Sequence, residues 1–326
     1  MNQKTCSSTG CVLCDTFFRL HIEEKITLIF FVVAAIFDSH FHVSFVRGVS
    51  THLIFDFGLL VPAFFGFFIV GLIFLKIRKK DNFIFSDYVN RGSSLAFVRV
   101  TMALLIGYYA YSHTKILAPL INSGNYDDIL FKIDQFLFFG YSPTLEMLKI
   151  NSQWFVNLMF FSYTGFYVAF PLAIALTFLH RDHVLARRLV LGILIIDFIG
   201  LALYYLLPGL GPLFYTHDLF AHIPNKYYDL LWSGHLAIIN NPSTFSVAPH
   251  NGVAAFPSLH SAHFLFLILT ITRLNRWMYI IFIPWLICMY MATVFMGWHY
   301  VIDLIAGVFI TVAAVWINKL LIPHNK

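Results

Sequence analysis

An all-α polytopic membrane bundle of about eight spans is the fold class this sequence predicts, and three observations carry the prediction. Of its 326 residues 59% are hydrophobic and only 11% charged, and the mean hydropathy is +0.77; soluble domains are far more polar. Several apolar runs approach the roughly 20 residues that a helix needs to cross the hydrocarbon core. Lysine and arginine collect in alternate connecting segments, as the positive-inside rule requires.

The expected spans can be taken in order. The first, Ile26 to about Val43, is interrupted by Asp38, His40 and His42. The second, Leu53 to Leu75, carries Asp56, and the third, Leu95 to about Tyr111, carries Arg99. Trp154 to Leu179 and Leu189 to Leu207 follow, the latter with Asp197. The sixth runs from Ser258 to Thr272, the seventh from Trp277 to Met296, and the eighth from Tyr300 to about Ile317. No repeat or low-complexity linker divides the chain. It reads as one helical domain, with a tail and two extra spans over 1–94 ahead of a six-span core over 95–326. Asp56 and Asp197 are expected to make hydrogen bonds between helices. Nothing resembles a cleavable signal peptide, so an early span is expected to act as an uncleaved anchor. Cys6, Cys11 and Cys14 lack a nearby fourth ligand, which favours a reduced or acylated tail over zinc.

With both termini cytoplasmic, 15 lysines and arginines fall on the inner side and 5 on the outer: Arg47, Lys115, Lys132, Lys149 and Lys226. The net charge of +5 comes from these loops. No basic stripe with interleaved aromatics suggests a nucleic-acid surface. Two outer loops are long, 113–152 and 208–257. In the first, Ile129, Ile133 and Phe136 lie opposite Asp128, Lys132 and Gln135, the spacing of an amphipathic interfacial helix. The second is rich in Pro, Gly, Asn, His and Tyr and is expected to fold over a head-group pocket.

Two polar constellations stand out: Phe256-Pro257-Ser258-Leu259-His260-Ser261 and Gly297-Trp298-His299-Tyr300-Val301-Ile302-Asp303. Ionisable groups at membrane depth are costly and usually functional. Span counting brings both to one face of the membrane, together with Pro208-Gly209-Leu210-Gly211-Pro212 at the end of the fifth span. His299 and Asp303 are four apart, hence neighbours on one helical face. The carboxylate can fix the imidazole tautomer and leave the other nitrogen as a nucleophile. Ser258 reads as a helix cap, with His260 in the first turn beside amides that suit an anion. From Ser258 to Arg273 is about 22 Å of helix, against a hydrocarbon core of about 30 Å, so the site is expected at head-group or glycerol depth. Taken singly, His113, His250 and His263 read as structural, and Tyr204 and Tyr205 as members of an interfacial aromatic belt.

Pro257, Ser258, His260, His299 and Asp303 resemble the second and third motifs, Pro-Ser-x-His and His-x-x-x-Asp, of the type-2 phosphatidic acid phosphatase superfamily. Pro208 to Pro212 stand where its first motif ends. Phe-Pro-Ser-Leu-His-Ser and His-Tyr-x-x-Asp-Leu-x-Ala-Gly are most similar to the inositol phosphorylceramide synthases (the aureobasidin-resistance branch) and their bacterial relatives. The resemblance implies that His299 attacks phosphorus and forms a phosphohistidine. Asp303 would orient it, and His260 would protonate the leaving oxygen and then activate the acceptor. It implies no metal and no cofactor. The chain departs from the phosphatases in having no basic residue from Tyr204 to Pro212, and Ala292-Thr293 where they carry Ser-Arg. A phosphomonoester holds nearly two charges and a diester one, so the missing guanidinium clamps argue for a diester donor. Pro208, Gly211, the Ser258 amides, Thr293 and Lys226 would then meet the substrate.

The leading reading is an integral membrane lipid phosphotransferase that moves a head group from a phospholipid donor to a lipid or polyol acceptor. It needs the bilayer and no nucleic acid, and no obligate protein partner is evident. A lipid phosphatase or pyrophosphatase using water is the alternative. A transporter is a third reading, against which stand the single-face cluster and the missing repeat. The site is expected to face the periplasm from the cell inner membrane in a bacterium, or the lumen of a Golgi-type membrane in a eukaryote.

Overall fold

A computed structural model of the chain describes residues 20–41, 58–79, 82–150, 152–216 and 254–323. Among them are twelve α-helices, two 3-10 turns and no strand. The helices are α1 (Ile22–His40), α2 (Gly58–Lys79), α3 (Arg91–Ile116), α4 (Ala118–Ile121), α5 (Asp127–Leu137), α6 (Pro143–Leu148), α7 (Gln153–Leu179), α8 (His183–Leu206), α9 (Pro212–Tyr215), α10 (Leu259–Ile271), α11 (Tyr279–Phe295) and α12 (Val301–Leu321). Six are long and apolar enough to cross a membrane: α2, α3, α7, α8, α11 with its preceding turn, and α12. The protein is a polytopic membrane helical bundle. Its exposed positions fit that reading, since Ile69, Val70 and Phe74 on α2 and Val312 and Trp316 on α12 face outward.

The two remaining expected spans are helices of another kind. α10 has only 13 residues, about 20 Å, and so begins well inside the bundle. α1 carries Glu23, Glu24, Lys25 and Asp38, too many charges for a simple span. It begins at Ile22 rather than Ile26 because Glu24 accepts the His21 N–H in a capping box. Its acids are committed to neighbours: Glu23 to Arg187 of α8, Glu24 to Arg99 of α3, and Asp38 to His113 of α3. The Glu24–Arg99, Thr27–Ala103 and Asp38–His113 contacts advance together, so α1 and α3 run parallel. Asp56 and the end of the first expected span lie outside the described residues.

α8 is the central helix. Leu189, Val190, Leu191, Leu194 and Ile196 are completely buried, with α3, α10, α12, α1 and α7 packed around it. Close approach to α10 depends on two glycines. A Cβ at Gly192 would stand 1.8 Å from the Phe266 ring, and one at Gly200 2.5 Å from Leu259. α10 and α12 are tied still more tightly: Thr311 Oγ1 donates to the Ala262 carbonyl and Ser261 Oγ to the Leu304 carbonyl. A Cβ at Gly307 would lie 2.6 Å from the Ser258 carbonyl oxygen. Backbone cannot yield as a flexible side chain can, so only glycine allows the start of α10 to rest on α12. Lys76, Arg78, Lys79, Arg91, Arg181, Arg187, Arg188, Arg273, Arg276 and Lys319 all belong to one end of the bundle. His260 and His299 lie at the other.

Candidate active site

The site is built where α10 starts and where α11 hands over to α12. Ser258 caps α10 by accepting the Ser261 N–H, which places His260 in the first turn. α11 is closed by Gly297, whose φ of 71° suits the residue that reverses a chain. The Thr293 carbonyl accepts the N–H groups of Trp298 and His299, so the backbone carrying His299 is held by the last turn of α11. α12 then begins with Tyr300, and Asp303 reaches back to accept the Tyr300 N–H (3.0 Å). The two motifs are joined directly, because the Ser258 N–H donates to the Asp303 carbonyl oxygen (3.1 Å).

A linear relay results. Asp303 Oδ2 lies 3.2 Å from His299 Nδ1, His299 Nε2 lies 3.4 Å from His260 Nδ1, and His260 Nε2 lies 3.2 Å from the Tyr163 hydroxyl of α7. His299 and Asp303 are 4% and 0% exposed, so water does not compete for the pair. His260 is further packed against the Phe166 ring. The geometry gives a histidine with one nitrogen anchored to a carboxylate and the other turned toward a second histidine. Such an arrangement suits a nucleophile facing an acid–base partner.

α5 supplies a second layer. The expected amphipathic helix exists, with Ile129 and Phe136 exposed, yet its buried face is Asp127, Leu130 and Asp134. Asp134 accepts the Val301 and Ile302 N–H groups (2.8 and 2.9 Å), capping α12 two residues after His299. Asp127 accepts the Leu210 and Gly211 N–H groups (2.8 and 2.9 Å) and so fixes the Pro208–Pro212 turn. Burial pushes both carboxyls above the usual aspartate range, while these backbone bonds pull the other way. Gly211, at φ 97°, could carry no Cβ, which would stand 2.5 Å from the Trp298 carbonyl oxygen. The turn is thus pressed against the segment that bears His299.

The sequence-derived site residues separate by role. His260 and His299 line a cavity of about 150 Å³, also bordered by Lys115, Tyr163, Tyr204, Trp298, Asp197 and His263. Asp303 stands behind His299. Pro208 offers its carbonyl to the Tyr126 N–H, Gly211 donates to Asp127, and Ser258 is the buried cap. Thr293 is completely buried, and its hydroxyl donates to the Tyr290 carbonyl of its own helix. None of these four lines the cavity; Thr293 holds backbone that does, its carbonyl accepting the Trp298 and His299 N–H groups. Lys226 and the three N-terminal cysteines lie outside the described residues. Asp197 Oδ1 of α8, expected to hydrogen-bond between helices, lies at ion-pair distance from His263 Nε2 of α10, 3.0 Å away. Tyr204, read from sequence as a belt residue, is buried in the cavity wall. Among the described residues no three His, Cys, Asp or Glu side chains group as a metal site.

Comparison with known proteins adds one finding. A model of the PAP2 superfamily matches residues 128–317, more than half of the chain and inclusive of both histidine motifs. The chain belongs to the PAP2 superfamily. No curated protein and no solved structure matches. Membership supports a membrane enzyme of phosphatase type, acting on lipid phosphates as a phosphatase or phosphotransferase. Within this PAP2 protein Tyr163, Asp134 and the Pro208–Pro212 turn fall inside the matched stretch. α1, α2, α3 and Asp127 fall outside it.

Reasoning from sequence missed Asp127, Asp134, Tyr163 and Lys115. Asp127 and Asp134 had a signal, since seven residues is two helical turns and puts both on one face. Tyr163 and Lys115 had none, because each meets the histidines only through packing between helices.

Proposed function

We propose that this PAP2 protein is a lipid phosphotransferase of the inositol-phosphorylceramide-synthase type, working through a phosphohistidine on His299. The relay Asp303–His299–His260 carries the reading. Asp303 holds Nδ1 of His299 and keeps Nε2 free as the nucleophile. In the first half-reaction Nε2 bonds to the donor phosphorus while the bond from phosphorus to the diacylglycerol oxygen breaks. His260, entering as the imidazolium, gives one proton to that oxygen and becomes neutral, and diacylglycerol leaves. In the second, the acceptor hydroxyl loses its proton to His260 and attacks phosphorus as the N–P bond breaks, returning His299 to the imidazole and His260 to the imidazolium.

The charge of the site supports a diester donor. The first-motif region lacks a basic residue, and Thr293, where an arginine would stand in a phosphatase, is enclosed by protein and bonded within its own helix. Two negative charges on a monoester would be poorly matched there. The basic end of the bundle is then cytoplasmic, and the site faces the periplasm or a lumen.

The test is incubation of the purified protein in vesicles with inositol-labelled phosphatidylinositol, with and without ceramide or diacylglycerol. The expected outcome is label on the lipid acceptor, little water-soluble inositol phosphate, and an acid-labile labelled protein that His299→Ala abolishes. If phosphatidic acid is hydrolysed far faster than any head group moves, the phosphatase reading takes its place.

A further inference from the structure

We propose that Lys115, from a helix outside the stretch that matches the superfamily, is the phosphate-anchoring cation of this site and sets its preference for a singly charged phosphodiester. The proposal rests on the phosphotransfer reading of His299 and names a specificity-determining residue for it.

The placement of Lys115 is fixed by bonds on either side of it. It lies in the last turn of α3, where the Thr114 carbonyl accepts the Tyr205 hydroxyl of α8 (2.6 Å). The Thr114 hydroxyl returns to the carbonyls of Ala110 and Tyr111, and Leu117 closes the turn on Thr114. The ammonium stands 5.3 Å from the centre of the Tyr204 ring. That ring is itself buried, and lines the cavity together with Tyr111 and with Leu259, one residue before His260. Lys115 lines the same cavity as His260 and His299.

Among the described residues the Lys115 ammonium has no anionic partner: no carboxylate lies within ion-pair distance of it. Asp197, which borders the same cavity, is taken by His263 at 3.0 Å. A lysine held at membrane depth without a counter-charge is costly unless it snorkels to the surface or meets an anion. Here the Tyr204 face and the cavity direct it inward, beside the two histidines of a phosphate-chemistry site. The anion that completes the arrangement is a non-bridging phosphate oxygen. One fixed cation offsets one negative charge, the charge of a diester, and leaves the second charge of a monoester unmatched.

The experiment uses the full chain in detergent and reads orthovanadate binding by the shift in melting temperature, for wild type, Lys115→Gln, Lys115→Met and Lys115→Arg. Head-group transfer from phosphatidylinositol is measured alongside. Removing the charge should weaken orthovanadate binding by about tenfold or more, the value of a charge-assisted hydrogen bond, and should raise KM for the donor. Lys115→Arg should keep most of the binding, and without ligand none of the variants should melt lower than wild type. The binding arm needs no turnover. Wild type that binds orthovanadate through Lys115 but transfers no head group would overturn the transferase reading and leave this proposal standing. Neutral variants that bind orthovanadate as wild type does, or wild type that binds none, would overturn the proposal. A lower melting temperature with unchanged binding would mark Lys115 as structural and overturn it too.

Discussion

Of the three buried histidine–aspartate pairs among the described residues, those of His113 and His299 resemble each other most in burial and differ most in surroundings. His113 and Asp38 join α3 to α1 at 2.7 Å, with side chains 2% and 0% exposed. His299 and Asp303 join the start of α12 to the segment before it at 3.2 Å, with side chains 5% and 0% exposed. Burial and partner do not separate them. Surroundings do. His113 packs against the Tyr109 ring and does not border the cavity, whereas the second nitrogen of His299 looks onto His260 and the cavity. A carboxylate on an imidazole makes a structural tie by default; it becomes a candidate nucleophile only where the other nitrogen has both an acid–base neighbour and room for a substrate.

That comparison breaks most directly at the two histidines. His299→Ala should abolish turnover and the covalent intermediate while leaving the protein folded, which circular dichroism and a labelling assay would check together. Asp303→Asn should follow, with a loss of about 10²–10⁴ in kcat, since an amide can favour the wrong imidazole tautomer. Unchanged kcat in Asp303→Asn would place His299 in the same structural class as His113. Gly307→Ala tests whether the motifs must touch. The added carbon meets the Ser258 carbonyl, so α10 has to move off α12, and a shift of about 1 Å between His260 and His299 should cost about 10²-fold in kcat. The smallest effect on activity belongs to His113→Ala. It leaves Asp38 buried without its partner and should lower stability by about 3–5 kcal/mol. The folded fraction should keep its specific activity. A loss of activity there without a loss of stability would mean that the α1–α3 tie reaches the chemistry.

Legibility of the site followed sequence distance. His299 and Asp303 could be read because four residues on a helix fix their neighbourhood in any fold. Ser258 and His260 could be read because a cap and a first turn are local. Thr293 shows the limit of that reasoning. Counting residues back from His299 makes it a natural clamp position, yet its hydroxyl turns into its own helix and only its carbonyl serves the site. On α5 the alternation of Ile129, Lys132 and Ile133 was legible as an interfacial helix. The use of its third face was not, because the acceptors that matter there bind amides at Leu210, Gly211, Val301 and Ile302, far along the chain.

Composition and periodicity alone determined that this chain is a helical membrane bundle, because burial in hydrocarbon demands long apolar helices whatever their arrangement. Charge asymmetry and span counting also brought the two histidine motifs to one end, since each crossing must alternate. Tertiary structure alone decided which groups meet across helices. It put Tyr163 against His260, Lys115 into the cavity, and Asp127 and Asp134 behind the backbone that carries the site. Side-chain contacts between helices depend on their rotation and depth, and those are set by packing such as Gly192 under Phe266 and Gly307 under Ser258 rather than by any local pattern.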